Sequence, residues 1–148
     1  MALPVIQPAT ERMLPKLTDV NRPYWTGGAD GSLHVQYCDA CSRWLLPAVE
    51  SCPGCGGAPE FRSTSGRATV FTYTTNHQPF HPNIPPPNLI AVVTLAEQDD
   101  LRVMTNLVNC TEEDITVGTP VQVRFEDHGE VFYPVFEPVT ADSPVVAS

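Results

Sequence analysis

The chain has 148 residues, a length suited to one domain, or to one small module joined to one compact domain. Only 8 basic residues stand against 17 acidic ones, a formal net charge of −9, which opposes the Lys/Arg neutralisation of phosphates that nucleic-acid binding rests on. The 16 prolines exclude a bundle of long helices, and no stretch reaches the roughly 18 apolar residues of a membrane-spanning helix.

Residues 1–17 carry Pro4, Pro8 and Pro15 among scattered apolar side chains and read as an extended arm. The first ten residues have neither the basic region nor the apolar core of a signal peptide, so the protein is expected to be cytoplasmic. Residues 18–26 predict a short helix, capped by Thr18 or Asp19, limited by Pro23 and stopped at Gly27-Gly28. Tyr24 and Trp25 are its large side chains, available for the core or for a partner. Asp30-Gly31 then turns the chain into Leu33–Tyr37, where apolar and polar residues alternate as in a strand that runs straight into Cys38.

Cys38-x-x-Cys41 and Cys52-x-x-Cys55 are separated by ten residues. Two residues between thiols let both reach one metal from a single tight turn, and a second such turn completes a tetrahedron. The intervening segment is long enough for a hairpin, as in zinc ribbons. Disulfides are disfavoured in a reducing compartment, and a redox dithiol takes one pair rather than two. The spacing predicts one structural zinc held by Cys38, Cys41, Cys52 and Cys55, with iron as the rival metal. Four protein ligands leave no open position, so no catalysis is expected at the ion.

Residues 58–66 read as a link. Five strands follow, rich in Val, Thr, Phe and Tyr: Ala68–Asn76, Leu89–Leu95, Leu101–Val108, Val121–Glu126 and Val131–Phe136. Thr111–Val117, acidic at its start and followed by Gly118, predicts one or two helical turns. Five strands with a helical turn after the third are the order of an OB-fold barrel. The loop after the first of them carries five prolines, at 79, 82, 85, 86 and 87. His77, Phe80 and His81 flank its start, where OB-fold ligands often bind, and are candidates for contact with a ligand or partner. Cys110 precedes the helical turn, but a buried free cysteine is the simpler reading than a nucleophile. Asn109-Cys110-Thr111 matches a glycosylation sequon, which has no use without secretion. The expected architecture is therefore mainly β: an arm with a short helix (1–29), a four-Cys zinc ribbon (30–63), a five-stranded OB-fold barrel (64–140) and a flexible tail (141–148).

The order of features carries a resemblance. It starts at Tyr24-Trp25-Thr26-Gly27 and continues with Cys38-Asp39-Ala40-Cys41, Leu46-Pro47 and Cys52-Pro53-Gly54-Cys55-Gly56. Ser65-Gly66-Arg67-Ala68, Val70–Thr74, Ile90–Leu95, Val117–Val121 and the closing Tyr133-Pro134-Val135-Phe136-Glu137-Pro138 complete it. Over residues 18–138 the chain resembles the rubredoxin-like zinc ribbon plus OB-fold proteins that associate with thiolase-like enzymes and act on acyl-CoA thioesters. The resemblance implies a non-catalytic subunit of a hetero-oligomer. Its partner would be a thiolase-like protein, with a CoA thioester bound at their interface. The reaction would be retro-aldol cleavage of an acyl-CoA, as in bacterial steroid side-chain degradation; the alternatives are the third subunit of an acyltransferase or of a thiolase–synthase assembly. The resemblance transfers no catalytic residue, because the family's catalytic acids and bases sit on the partner. A binding module for single-stranded nucleic acid is the rival of another class; Phe71, Tyr73 and Phe80 would be its stacking platforms, against the net charge. The turn Glu97-Gln98-Asp99-Asp100 lacks the glycine that the resemblance leads one to expect there.

Overall fold

The computed structural model describes residues 14–77 and 88–139, together with the backbone of Val5–Ile6. The expectations placed on Phe80, His81 and the tail after residue 140 lie outside these residues. The elements are β1 (Val5–Ile6), α1 (Arg22–Thr26), β2 (His34–Cys38), β3 (Arg43–Leu45), β4 (Glu60–Ser63), β5 (Arg67–Asn76), β6 (Asn88–Leu95), β7 (Arg102–Leu107), β8 (Pro120–His128) and β9 (Val131–Pro138). Single 3-10 turns occupy Gly27–Asp30 and Glu112–Asp114.

β5 to β9 close on themselves. Their order is β8-β5-β6-β7-β9, and β9 pairs back onto β8 from Val121↔Pro138 to His128↔Val131. All contacts are antiparallel except β7–β9, which meet in parallel at Leu107↔Phe136. This is the five-stranded OB barrel, and closure leaves its strands without a free edge where they pair. The period-2 pattern builds the interior: Leu89, Ala91, Val93 and Leu95 of β6 point inward, as do Val103, Thr105 and Leu107 of β7. Each fully buried aliphatic or aromatic side chain, Phe125 and Phe136 among them, contributes about 1.5–3 kcal/mol. A bulge in β5 between Val70 and Thr72 bends that strand where it passes from β8 to β6. β1 lies parallel to β8 at Phe125 and Glu126, beyond the point where β5 has left it.

A second, three-stranded sheet has the order β3-β2-β4. β4 corrects the reading of residues 58–66 as a link, since Glu60–Ser63 pair antiparallel with His34–Tyr37. The two sheets share one core, because Leu33 and Val35 are completely buried in the same cluster as the barrel's Val93 and Phe125.

The expected helix forms, but shorter, with a later start. Thr18 and Asn21 bond reciprocally in the turn before it, Thr18 N–H to Asn21 Oδ1 at 2.7 Å and Asn21 N–H to Thr18 Oγ1 at 3.2 Å, and the helix starts only at Arg22. The α-helix ends at Thr26 where the glycine pair predicts, with Gly27 as its C-cap; Gly27 is right-handed (φ −62°), a 3-10 turn follows over Gly27–Asp30, and the left-handed residue is Gly31, φ 79°. Gly28 also serves close packing: a Cβ there would lie 2.5 Å from Phe125 Cδ1 and 2.6 Å from Phe132 Cβ. After β7, Thr111 and Asp114 form a capping box around a single 3-10 turn. Ile115 then extends (φ −129°, ψ 150°) to bury its side chain, and no further helical turn forms.

Candidate metal centre

β2 delivers Cys38 at its last position, and the turn at Asp39–Ser42 brings Cys41 back beside it, with Ser42 N–H donating to the Asp39 carbonyl at 3.3 Å. The second knuckle closes through Gly56 N–H to the Cys52 carbonyl (2.7 Å) and Cys52 N–H to the Gly57 carbonyl (2.8 Å). These turns gather the four sulfurs within 4.8 Å of one another. The Cys38–Cys55 pair is 3.5 Å apart and the Cys41–Cys52 pair 3.8 Å. A tetrahedron with zinc–sulfur bonds of about 2.3 Å has sulfur–sulfur edges of about 3.8 Å, so the donor set fits such an ion. Cys38 and Cys52 are buried, Cys41 and Cys55 exposed.

The electrostatics point the same way. Backbone N–H groups of Cys55 and Gly54 lower the Cys52 thiol to about 7. Hydrogen bonds shared with the sulfurs of Cys55, Cys38 and Cys52 push Cys41 up to about 12. Four sulfurs this close cannot all be thiolates unless a cation balances them, and a divalent ion that displaces their protons supplies that charge.

A glutamine secures the loop between the knuckles. Gln36, 4% exposed, takes the Val49 N–H with its Oε1 (2.7 Å) and gives its Nε2 to the Val49 carbonyl (2.8 Å). A second glutamine comes from the barrel. Gln98 Oε1 accepts from Trp44 N–H (2.9 Å), and Gln98 Nε2 donates to the Trp44 carbonyl (3.1 Å). Beside it Arg43 pairs with Asp100, and the Ser65 N–H bonds Glu97 Oε2 at 2.9 Å. The hydrogen bond from Arg43 holds the Asp100 carboxyl below its ordinary range. The turn that lacks the expected glycine thus uses its polar side chains to hold the ribbon.

The other candidate residues do not converge on this site. Tyr24 lies in the core, its ring edge-on to Trp25 at 4.9 Å, and burial raises its phenol above the usual value. Trp25 is half-buried and tilts onto Tyr133 at 5.5 Å. His77 is exposed just after β5. Burial, then the carboxylates of Asp114 and Glu137, raise the Cys110 thiol, the opposite of nucleophile activation.

Sequence reasoning missed a buried polar cluster on β8 and β9. Glu137 receives Asn109 Nδ2 (2.6 Å) on one oxygen, and Gln122 Nε2 (3.1 Å) and Arg124 Nε (2.6 Å) on the other. Burial raises the Glu137 carboxyl, but these donors outweigh it and leave the group below its ordinary range.

Two family models match adjoining stretches. They are the ChsH2 rubredoxin-like zinc ribbon domain over residues 25–62 and the ChsH2 C-terminal OB-fold domain over residues 62–126. A probable enoyl-CoA hydratase alpha subunit of Thermomonospora curvata is 31% identical over 134 residues, 89% of this chain and 41% of that protein. A DUF35 domain-containing scaffold protein of Methanocaldococcus jannaschii is 32% identical over 91 residues, 60% of this chain and 63% of that one. The chain therefore spans less than two thirds of the length of either curated relative. Among solved structures, a chain of the Ltp2-ChsH2(DUF35) aldolase superposes with a TM-score of 0.77 at 30% identity, covering 86% of this chain and 100% of that one. A DUF35 protein of unknown function from Sulfolobus solfataricus shares the fold, with a TM-score of 0.59 at 15% identity over 82% of this chain and 86% of that one.

Proposed function

The chain belongs to the ChsH2 (DUF35) family of zinc-ribbon and OB-fold proteins, and from that premise we propose that it is the zinc-containing accessory subunit of a thiolase-fold aldolase. In this reading Cys38, Cys41, Cys52 and Cys55 hold one structural zinc, which supplies folding energy to the ribbon. A site closed by four thiolates offers no coordination position to a substrate. Carbon–carbon cleavage of an acyl-CoA thioester then falls to the partner, with a steroid side chain as the substrate class.

The observation that carries this reading is the match to the aldolase chain, which is covered over its whole length at 30% identity. Half-buried Trp25, on the helix side of the barrel, and exposed His77, beside the long loop, are the side chains this reading offers to the partner and to the CoA thioester.

Co-expression with a thiolase-like protein from the same genome tests it. A stable complex with about one zinc per copy of this chain, releasing a smaller acyl-CoA and a carbonyl product, supports the reading. A chain that stays alone in the presence of that protein sinks it. The M. jannaschii relative, whose name describes a scaffold, favours a second reading as the third subunit of an acyltransferase or thiolase–synthase assembly. A complex that transfers acyl groups without cleaving the carbon–carbon bond selects that alternative.

A further inference from the structure

β3 is one of the two edge strands of the ribbon sheet. Tyr37 faces Trp44 across the β2–β3 pairing, yet the Trp44 N–H and carbonyl both go to Gln98. In an antiparallel ladder both groups of one residue point to the same side, so those of Trp44 face away from β2. The Gln98 side chain stands where a fourth strand's backbone would stand. Its Nε2 also reaches Asp100 Oδ1 at 2.8 Å, and Asp100 takes Arg43, the neighbour of Trp44. Gln98 itself is fixed in the β6–β7 turn by Gln98 N–H to the Leu95 carbonyl and Leu101 N–H to its own carbonyl.

Trp44 belongs to the segment that joins Cys41 to Cys52. One end of that segment is held to β2 by Gln36 through Val49, the other to the barrel by Gln98. An ion bound by all four thiols would fix both termini of the same segment. Ion and barrel turn therefore act on one short piece of chain.

We propose that Gln98 is a positioning residue for the metal site, coupling occupancy of the four-thiol cluster to the order of the β6–β7 turn of the barrel. The coupling is reciprocal: whatever the turn does to ion retention, the ion does to the turn. The proposal rests on the metal reading above but not on the aldolase reading.

The test uses the full chain purified with its metal. Metal content is measured first, then the rate of transfer to a chromophoric chelator for wild type, Gln98→Ala, Gln98→Glu and Val131→Ala. Gln98→Ala is expected to speed the loss about five- to tenfold, the scale of one or two lost hydrogen bonds. Gln98→Glu keeps an acceptor for Trp44 N–H but sets a second carboxylate against Asp100 and the Trp44 carbonyl, and is expected to speed the loss at least as much. Val131, buried in β9, reports general loosening of the barrel, and its variant is expected to speed release less than Gln98→Ala does. On wild type alone, stripping the metal is expected to speed amide exchange at Leu95 and Leu101, an arm that stands if Gln98→Ala does not fold. A metal-loaded Gln98→Ala with the wild-type rate, a Val131→Ala equally fast, or unchanged exchange on stripping overturns the coupling and leaves the metal site intact. A wild-type chain that carries no metal overturns both.

Discussion

At the scale of single residues, the metal site and the Glu137 cluster respond to different variables. Cys41 is exposed and packs little, so Cys41→Ser removes a thiolate with small effect on the core. It is expected to lower the metal content well below that of wild type, read by native mass spectrometry; full retention would mean that three thiolates suffice. Glu137 responds to pH. Its folded-state carboxyl is held below the ordinary value of about 4.3 that it regains on unfolding. Its contribution is therefore complete above that value and is lost as pH falls through the depressed folded one. Glu137→Gln removes the negative charge that faces the largely buried Arg124 and is expected to cost about 3 kcal/mol at neutral pH. Urea midpoints at pH 6 and pH 3 check the sign: wild type should lose more stability between them than the variant. Equal losses would show that other carboxylates govern the acid limb.

At the scale of elements, packing decides what the chain's punctuation does. Gly27-Gly28 stops the α-helix at Thr26 as its signature says, but Gly28 has a second task, because Phe125 and Phe132 lie against it in the 3-10 turn that follows. Gly28→Ala is accordingly expected to cost about 1–3 kcal/mol by overpacking, although alanine is the better helix former. Thermal melting measures it, and a stabilised variant would refute the close-packing role. The barrel strands were legible because they are runs rich in Val, Thr, Phe and Tyr, the strand formers, and β6 adds a strict period of two. β4 was not, since four residues after Pro59 are too few for a period, and its pairing with β2 joins residues far apart in the chain. Within the site, the cysteine spacing announced the gathering of four thiols. The amides of Gln36 and Gln98 did not, because they bind backbone 13 and 54 residues away. The donors to Glu137 come from 13 to 28 residues away and left no local pattern either.

At the scale of the whole molecule, two sheets with separate hydrogen-bond ladders share a single apolar core. Leu33 and Val35 enter it from the ribbon, Tyr24 from the helix, and Val70, Val93 and Phe125 from the barrel. A ribbon that stood apart would have to fold on its metal alone, as small zinc modules do. Here the strand that carries Cys38 also contributes Val35 to that core, so loss of the ion is expected to loosen β2 and expose apolar surface. Calorimetry of the metal-loaded chain is therefore expected to show one transition with coincident calorimetric and van't Hoff enthalpies. Chelation should shift that single transition downward as a whole, because the ion stabilises whatever unfolds with its site. Two separate transitions, with only the lower one sensitive to chelator, would instead make ribbon and barrel independent. The buried position of Leu33 and Val35 would then be a contact that forms only after each part has folded.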